Sequence, residues 1–168
     1  MLSESARATT TAEARFRVKT PNSTPRQVKI IALDRDSEPV VQRLSQMKWS
    51  RASFLTASSF AGDVTAQKTF SMNGWLIDLA GRTKNLLNEV VQADLVVMIA
   101  SMGQPATAAA IIGEACRAHN VMTTALVLNM TQPGGAADTL AQLRPYANML
   151  VAANSQDYIE DMLTALRA

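Results

Sequence analysis

The chain has 168 residues, 48% of them hydrophobic and 18% charged, with a formal net charge of +2. That length is the size of one domain, and the charge is too small to imply nucleic acid or an anionic membrane as partner. The single cysteine, Cys116, excludes an intrachain disulfide and fits a reducing, cytoplasmic setting.

Residues 1–27 are rich in Ser, Thr, Ala and Arg, with two prolines and no apolar h-region. This argues against a secretory signal and predicts a disordered tail, because so little apolar surface cannot offset the entropy of ordering. One α/β domain is expected over 28–168. No apolar stretch is long enough to span a membrane.

The first apolar run, Val28 to Leu33, predicts a buried strand. Asp34-Arg35-Asp36-Ser37 follows, then a helical period through Val41 and Leu44, with Ser37 as cap and Pro39 in the first turn. Ala52 to Ala57 predicts a second strand. Ser58 to Asn73 fits strand, helix or lid equally. Trp75 to Leu79 predicts a short third strand, and Gly81-Arg82 a helix start running on through Leu86 and Val90.

Asp94 to Ala100 is a continuous apolar run and predicts a fourth strand. A turn at Ser101 to Pro105 leads into a helix over Ala106 to Ala118, with Pro105 at its start. Val121 to Leu128 predicts the fifth strand, Asn129 to Gly135 a loop, then a helix to about Leu143. Asn148 to Ala153 predicts the sixth strand, and Ser155 caps a last helix from Gln156 to Leu166.

Strands apolar on both faces, alternating with helices, predict a three-layer, doubly wound, mostly parallel α/β sheet of Rossmann-like type. The default strand order is 3-2-1-4-5-6. Ligands in such sheets bind at the carboxyl ends of the strands, near the switch in strand order. There the sequence offers Asp34 to Ser37 and Ser101 to Pro105, with Asp78, Gly81, Asn129 and Asn154 in neighbouring loops.

The first of these loops lacks the glycines of a dinucleotide fingerprint, and its carboxylates would repel phosphate. It reads as a solvated turn and helix cap. In the second, Gly103 permits a tight turn, the following helix offers N–H groups to an anion, and Thr107 adds a hydroxyl. Such turns also occur without a ligand.

Catalytic residues are not identifiable. His119, the one histidine, falls at a helix C-terminus, where it favours the helix dipole. With Cys116 it makes a Cys-x-x-His pair, too few ligands for a metal. The nine methionines read as core filler, or as an adaptable interface where exposed.

From position 92 to 154 a longer pattern emerges. Ala93-Asp94 precede an apolar strand, and Met102-Gly103 enter the next loop. An Ala-rich helix follows, then Val121-Met122-Thr123-Thr124 opening a strand. Leu143-Arg144 precede Asn148-Met149-Leu150-Val151, and Asn154 closes the match. This stretch resembles the nucleotide-binding domain of the tubulin/FtsZ GTPase family.

The chain departs from that family where the glycine-rich loop would be. Gly103 is followed by Gln104-Pro105-Ala106-Thr107-Ala108-Ala109. Pro105 removes a backbone donor, and alanine side chains block close approach. The family's first-strand glycine loop is replaced by Asp34-Arg35-Asp36. The resemblance therefore implies an FtsZ-like sheet with a degenerate GTPase site, GTP hydrolysis lost.

Three readings remain open. The first is a non-catalytic domain binding a small anionic or nucleotide-type ligand through Ser101, Met102, Gly103, Gln104, Thr107, Asn129 and Asn154, with Asp34 and Arg35 beside them. A nucleotide is the candidate cofactor, its identity unknown. The second is a structural or regulatory protein acting by self-association or partner binding. Low surface charge favours association and so a homo-oligomer. The third is an enzyme using the carboxylates of Asp34, Asp36 or Asp78 with Arg35. No metal site is expected.

Overall fold

The computed structural model describes residues 24–58, 75–128 and 136–168. Most of the tail expected over 1–27, most of the ambiguous 58–73 stretch and the loop at 129–135 lie outside the described residues.

Among the described residues seven strands form one sheet: β1 (Val28–Ala32), β2 (Ala52–Thr56), β3 (Trp75–Asp78), β4 (Thr83–Asn85), β5 (Leu95–Ser101), β6 (Met122–Leu128) and β7 (Met149–Ala153). Their order is β4-β3-β2-β1-β5-β6-β7. Leaving β4 aside, this is the order the strand pattern predicts. Pairing is parallel from β2 through β1, β5 and β6 to β7. It is antiparallel for β2 with β3 and for β3 with β4. All seven residues of β5 are buried, as expected of a central strand apolar on both faces.

Among the described residues four α-helices lie between strands, α1 (Glu38–Ser45), α2 (Leu86–Val91), α3 (Ala108–Ala118) and α4 (Ala136–Leu143), and α5 (Gln156–Ala165) follows β7. Successive strand residues point to opposite faces, and two apolar clusters take alternate residues accordingly. One joins Ile31, Met98 and Val127 to Leu86, Ile112 and Leu143 of α2, α3 and α4. The other joins Ile30, Val97 and Leu126 to Val41 and Leu44 of α1 and Ile159 and Leu163 of α5.

Two local expectations fail. Gly81-Arg82 does not start a helix; it closes the β3–β4 hairpin. Gly81 has φ of +78°, a conformation that suits glycine. The Asp78 carboxylate accepts from the N–H groups of Ala80 and Arg82 and from Arg82 Nε, at 2.8 to 3.0 Å. The Arg82 N–H above all holds the Asp78 carboxyl below its usual range. The helix begins later, at Leu86, where Asn85 Oδ1 accepts from Asn88 N. Pro105 likewise stands ahead of α3, whose N-cap position is Thr107. Ser37 and Ser155 occupy N-cap positions as expected, but neither side chain makes the capping bond.

A charged side chain of β1 lies inside the core. Lys29, on β1, is 5% exposed. Its Nζ donates to Glu89 Oε2 of α2 at 2.7 Å and to Ser53 Oγ of β2 at 3.3 Å. This ties α2 to the sheet through an ion pair among apolar neighbours. Breaking such a pair strands one charge, at a cost of about 3–5 kcal/mol, whereas replacing both partners with apolar groups is close to neutral. Glu89→Leu should therefore destabilise strongly, and Lys29→Met together with Glu89→Leu should restore most of the loss. Urea unfolding of the two single variants, Lys29→Met and Glu89→Leu, and of the double checks this; additive losses in the double variant would contradict it.

Candidate functional site

The switch in strand order lies between β1 and β5, which pair in parallel and feed helices α1 and α3. In a ligand-binding sheet of this type, the crevice between those strand ends is where an anion sits. Here it holds a carboxylate of the chain itself. Asp34, one residue past the apolar run, is 6% exposed. Its Oδ1 accepts from Ser37 N at 2.8 Å and its Oδ2 from Ser101 N at 2.7 Å. Ser37 Oγ donates to the Asp34 carbonyl at 2.9 Å. The expectation of a solvated turn is corrected in part: Arg35 and Asp36 are exposed, but Asp34 and Ser37 are buried, and the Asp34 carboxylate joins the ends of two central strands.

The loop after β5 is closed in the same manner. Gly103 adopts φ of +84°, as the tight turn requires. Met102 N donates to Leu128 O at 3.0 Å, and Gln104 N to Ser101 O at 3.1 Å. Two side chains of α4 take further donors. Thr139 Oγ1 accepts from Gly103 N at 3.2 Å and donates to Gln104 O at 2.8 Å. Gln142 Oε1 accepts from Ala106 N at 2.5 Å. The backbone N–H groups of 101–104 and 106 thus all have partners within the chain, and Pro105 has none to offer.

The residues expected to line a ligand site separate. The Met102 side chain is buried in the cluster beneath α3. Gln104 Nε2 donates to Asp36 Oδ2 at 2.8 Å. Thr107 lines a groove between α3 and α4 with Ala110, Gln142 and Tyr146. Asn154 lines a shallow cleft of about 180 Å³ with Asp36, Val40 and Ile159, residues of the cluster on the other face or next to it. Arg35 is exposed beside Asp34. Asn129 lies outside the described residues. Asp78 and Gly81 leave the carboxyl edge altogether, because antiparallel β3 carries the chain from Ile77 opposite Thr56 to Asp78 opposite Leu55.

The acids proposed for catalysis do not converge. Asp34 is bonded to two N–H groups, Asp36 to Gln104, and Asp78 sits in the hairpin. Glu38, which sequence reasoning passed over, accepts from Thr56 Oγ1 at 2.7 Å and from Ser58 Oγ beside β2. Among the described residues no three His, Cys, Asp or Glu side chains are grouped to hold a metal ion. His119 forms the exposed C-cap of α3, as expected. Cys116 is fully buried, and burial pushes its thiol up to about 12.

One polar atom at the switch point stands apart. Ser101 Oγ is buried and has no hydrogen-bond partner among the described residues. Thr139 and Gln142 were invisible to sequence reasoning because they reach the loop across some 36 positions of chain; nothing in their local pattern marks them.

No protein-family model matches the chain, and no curated protein matches it.

Two outcomes follow from this geometry. Asp34→Ala would strand two buried N–H donors, each bonded to a charged acceptor, and should cost about 3 kcal/mol or more. Asp34→Asn keeps an acceptor oxygen and should cost less; equal losses in urea unfolding would contradict the bridging role. Cys116 is neutral in the fold, with its thiol raised from 9.0 to about 12. The unfolded chain ionises first, so stability is unaffected below about pH 9 and falls as pH rises towards 12. A thiol reagent at neutral pH should label Cys116 only on unfolding, and prompt labelling of the folded chain would contradict that burial.

Proposed function

We propose that this chain is a non-catalytic, doubly wound, three-layer domain of FtsZ-like and Rossmann-like type that works by self-association. The observation that carries this reading is the filled switch point. Asp34 takes the place an anionic ligand would occupy, and α4 side chains take the loop donors that would bind one. A domain with its customary ligand position closed is left with its surfaces.

The two sheet edges support one surface in particular. The β4 edge is three residues long and carries Lys84, features that discourage strand pairing. The β7 edge, Met149 to Ala153, is five residues long with no charge and no proline. Met149 is 40% exposed and Met122, at the start of neighbouring β6, is 55% exposed. Antiparallel pairing of β7 with β7 of a second copy would satisfy the outer backbone groups and cover these methionines. Such a contact is self-complementary about a two-fold axis. Light scattering on the eluting chain should report a dimer, and Met149→Lys with Ala152→Lys should yield a monomer of unchanged circular dichroism. A strictly monomeric parent chain at high concentration would overturn this reading.

A nucleotide-type ligand at the carboxyl edge is the second reading, favoured by the Ser101 hydroxyl, buried without a partner among the described residues, and by the left-handed Gly103. It requires the ligand to displace Asp34 or reach past it. A ligand at 100 times its dissociation constant adds about 2.7 kcal/mol of stability. A thermal-shift screen of nucleotides should then give a hit that Gly103→Val abolishes; a flat screen would end this reading.

A further inference from the structure

Helix α5 crosses its face of the sheet obliquely, and the crossing leaves apolar surface open. It starts just past Ala153, at the carboxyl end of β7. It ends by the amino end of β1, where the carbonyl of Arg167 accepts from Arg26 N at 3.1 Å. The amino ends of β6 and β7 on that face are therefore left without α5 above them. Alternation puts Met122 on the face of Leu126 and Leu128, and Met149 on the face of Val151 and Ala153. These two methionines are 55% and 40% exposed.

At the other end of the same strand stands a third large exposed side chain, Tyr158, at 47%. In α5, Ile159 and Leu163 face the core, and Thr164 lines a cleft shared with the end of α1. Tyr158 and Met162, one turn apart, occupy the flank away from α1. Since α1 packs on β1 and β2, that flank looks toward the free edge of β7.

Charge along β7 is polarised in the same direction. Near its amino end the exposed charges are Arg144 and Arg117, the latter paired with Glu114 at 3.0 Å. Near its carboxyl end are Asp138 of α4 and Asp157 and Asp161 of α5, all exposed, with Glu160 half-buried and Asp36 bonded to Gln104. Asp94 and Arg35, of opposite sign to these ends, lie beside β5 and β1, two and three strands away. Acids in the first turn of a helix stabilise that helix by themselves. That accounts for Asp138 and Asp157, but not for exposed methionines at one end of the strand and an exposed tyrosine at the other.

An occupant that fits both patterns carries the same two ends in reverse, and a second copy about a two-fold axis does so. Antiparallel pairing centred on Val151 sets Met149 opposite Ala153 of the second copy, next to the Tyr158 that follows it. The basic end of each β7 then lies beside the acidic end of the other, a complementary arrangement. A parallel neighbour would set like charge beside like and leave the methionines uncovered. We propose that Tyr158 of each copy closes over Met149 and Met122 of the other, and that Arg144 against Asp138 and Asp157 fixes the antiparallel sense. This inference rests on the association through β7 proposed above.

The test is sedimentation of the full chain at low salt. Tyr158→Ala should weaken the dimer about tenfold, with thermal unfolding unchanged at this exposed position. Arg144→Glu alone, and Asp138→Lys with Asp157→Lys in another chain, should each dimerise poorly. Mixed together, these two chains should form a heterodimer, because each basic end again meets an acidic one. A parent dimer that Met149→Lys with Ala152→Lys disperses, but that Tyr158→Ala leaves at full affinity or whose charge variants do not prefer each other, overturns this inference and leaves the association reading standing. A monomeric parent chain overturns both.

Discussion

The carboxylate of Asp34 fixes the centre of this molecule. A parallel sheet must find partners for the backbone groups that emerge where each strand gives way to its connection. At the switch point two such ends diverge, toward α1 and toward α3, and no strand lies between them to help. Asp34 meets that need with one side chain, an oxygen for Ser37 N and another for Ser101 N. The position is buried, so the negative charge is tolerable only because both oxygens are bonded. The same bonds close the crevice where ligands of this fold class enter. One interaction both joins the two strand ends and fills the space between them.

The second constraint is Lys29. Every other β1 position is apolar and buried, and the chain places an ammonium there with a carboxylate from α2 to meet it. Hydrophobic clusters are tolerant of sliding, since Leu or Ile packs acceptably in several positions. A buried ion pair is not tolerant, because a misplaced helix leaves Lys29 uncompensated. Glu89 thus sets where α2, only six residues long, rests on the sheet. Tyr146 plays a comparable part for the turn after α4. It packs so closely on α3 that a Cβ at Gly113 would lie 2.4 Å from it. Specific placement here comes from single contacts set in a forgiving core.

Much of the architecture was legible because its signals are local. Runs such as Leu95 to Ala100 are apolar throughout, and that pattern belongs to strands covered on both faces. Alternation of these runs with helical periods gave the strand order from β3 through to β7. The β3–β4 hairpin was not legible. Thr83-Lys84-Asn85 is short, polar and lacks any strand pattern; its pairing depends on the Asp78 turn, and a helix begins directly after it. The site was legible in position but not in content. Gly103 correctly marked a tight turn at the end of β5. What fills that turn comes from Thr139 and Gln142, whose contribution depends on how α4 lies against α3. Hydrogen bonds across that much chain leave no periodicity to read.

The distribution of charge now connects these features. At the carboxyl edge the side chains that gather are Asp34, Asp36 and Glu38, each occupied by donors of the chain itself. At the amino edge Lys48 and Arg167 line a cleft with Trp49 and Thr164. Parallel strands with helices returning between them ordinarily put helix N-termini, and so positive potential, at the carboxyl edge. This chain meets that field with acids at the carboxyl edge and places Lys48 and Arg167 just past the C-terminal ends of α1 and α5. Acids at N-termini and bases at C-termini stabilise helices, so part of the pattern is explained by folding alone. The remainder lies at the carboxyl edge, where Asp34 also bonds Ser101 N and Asp36 bonds Gln104 Nε2, so that acids following β1 hold the chain that leaves β5.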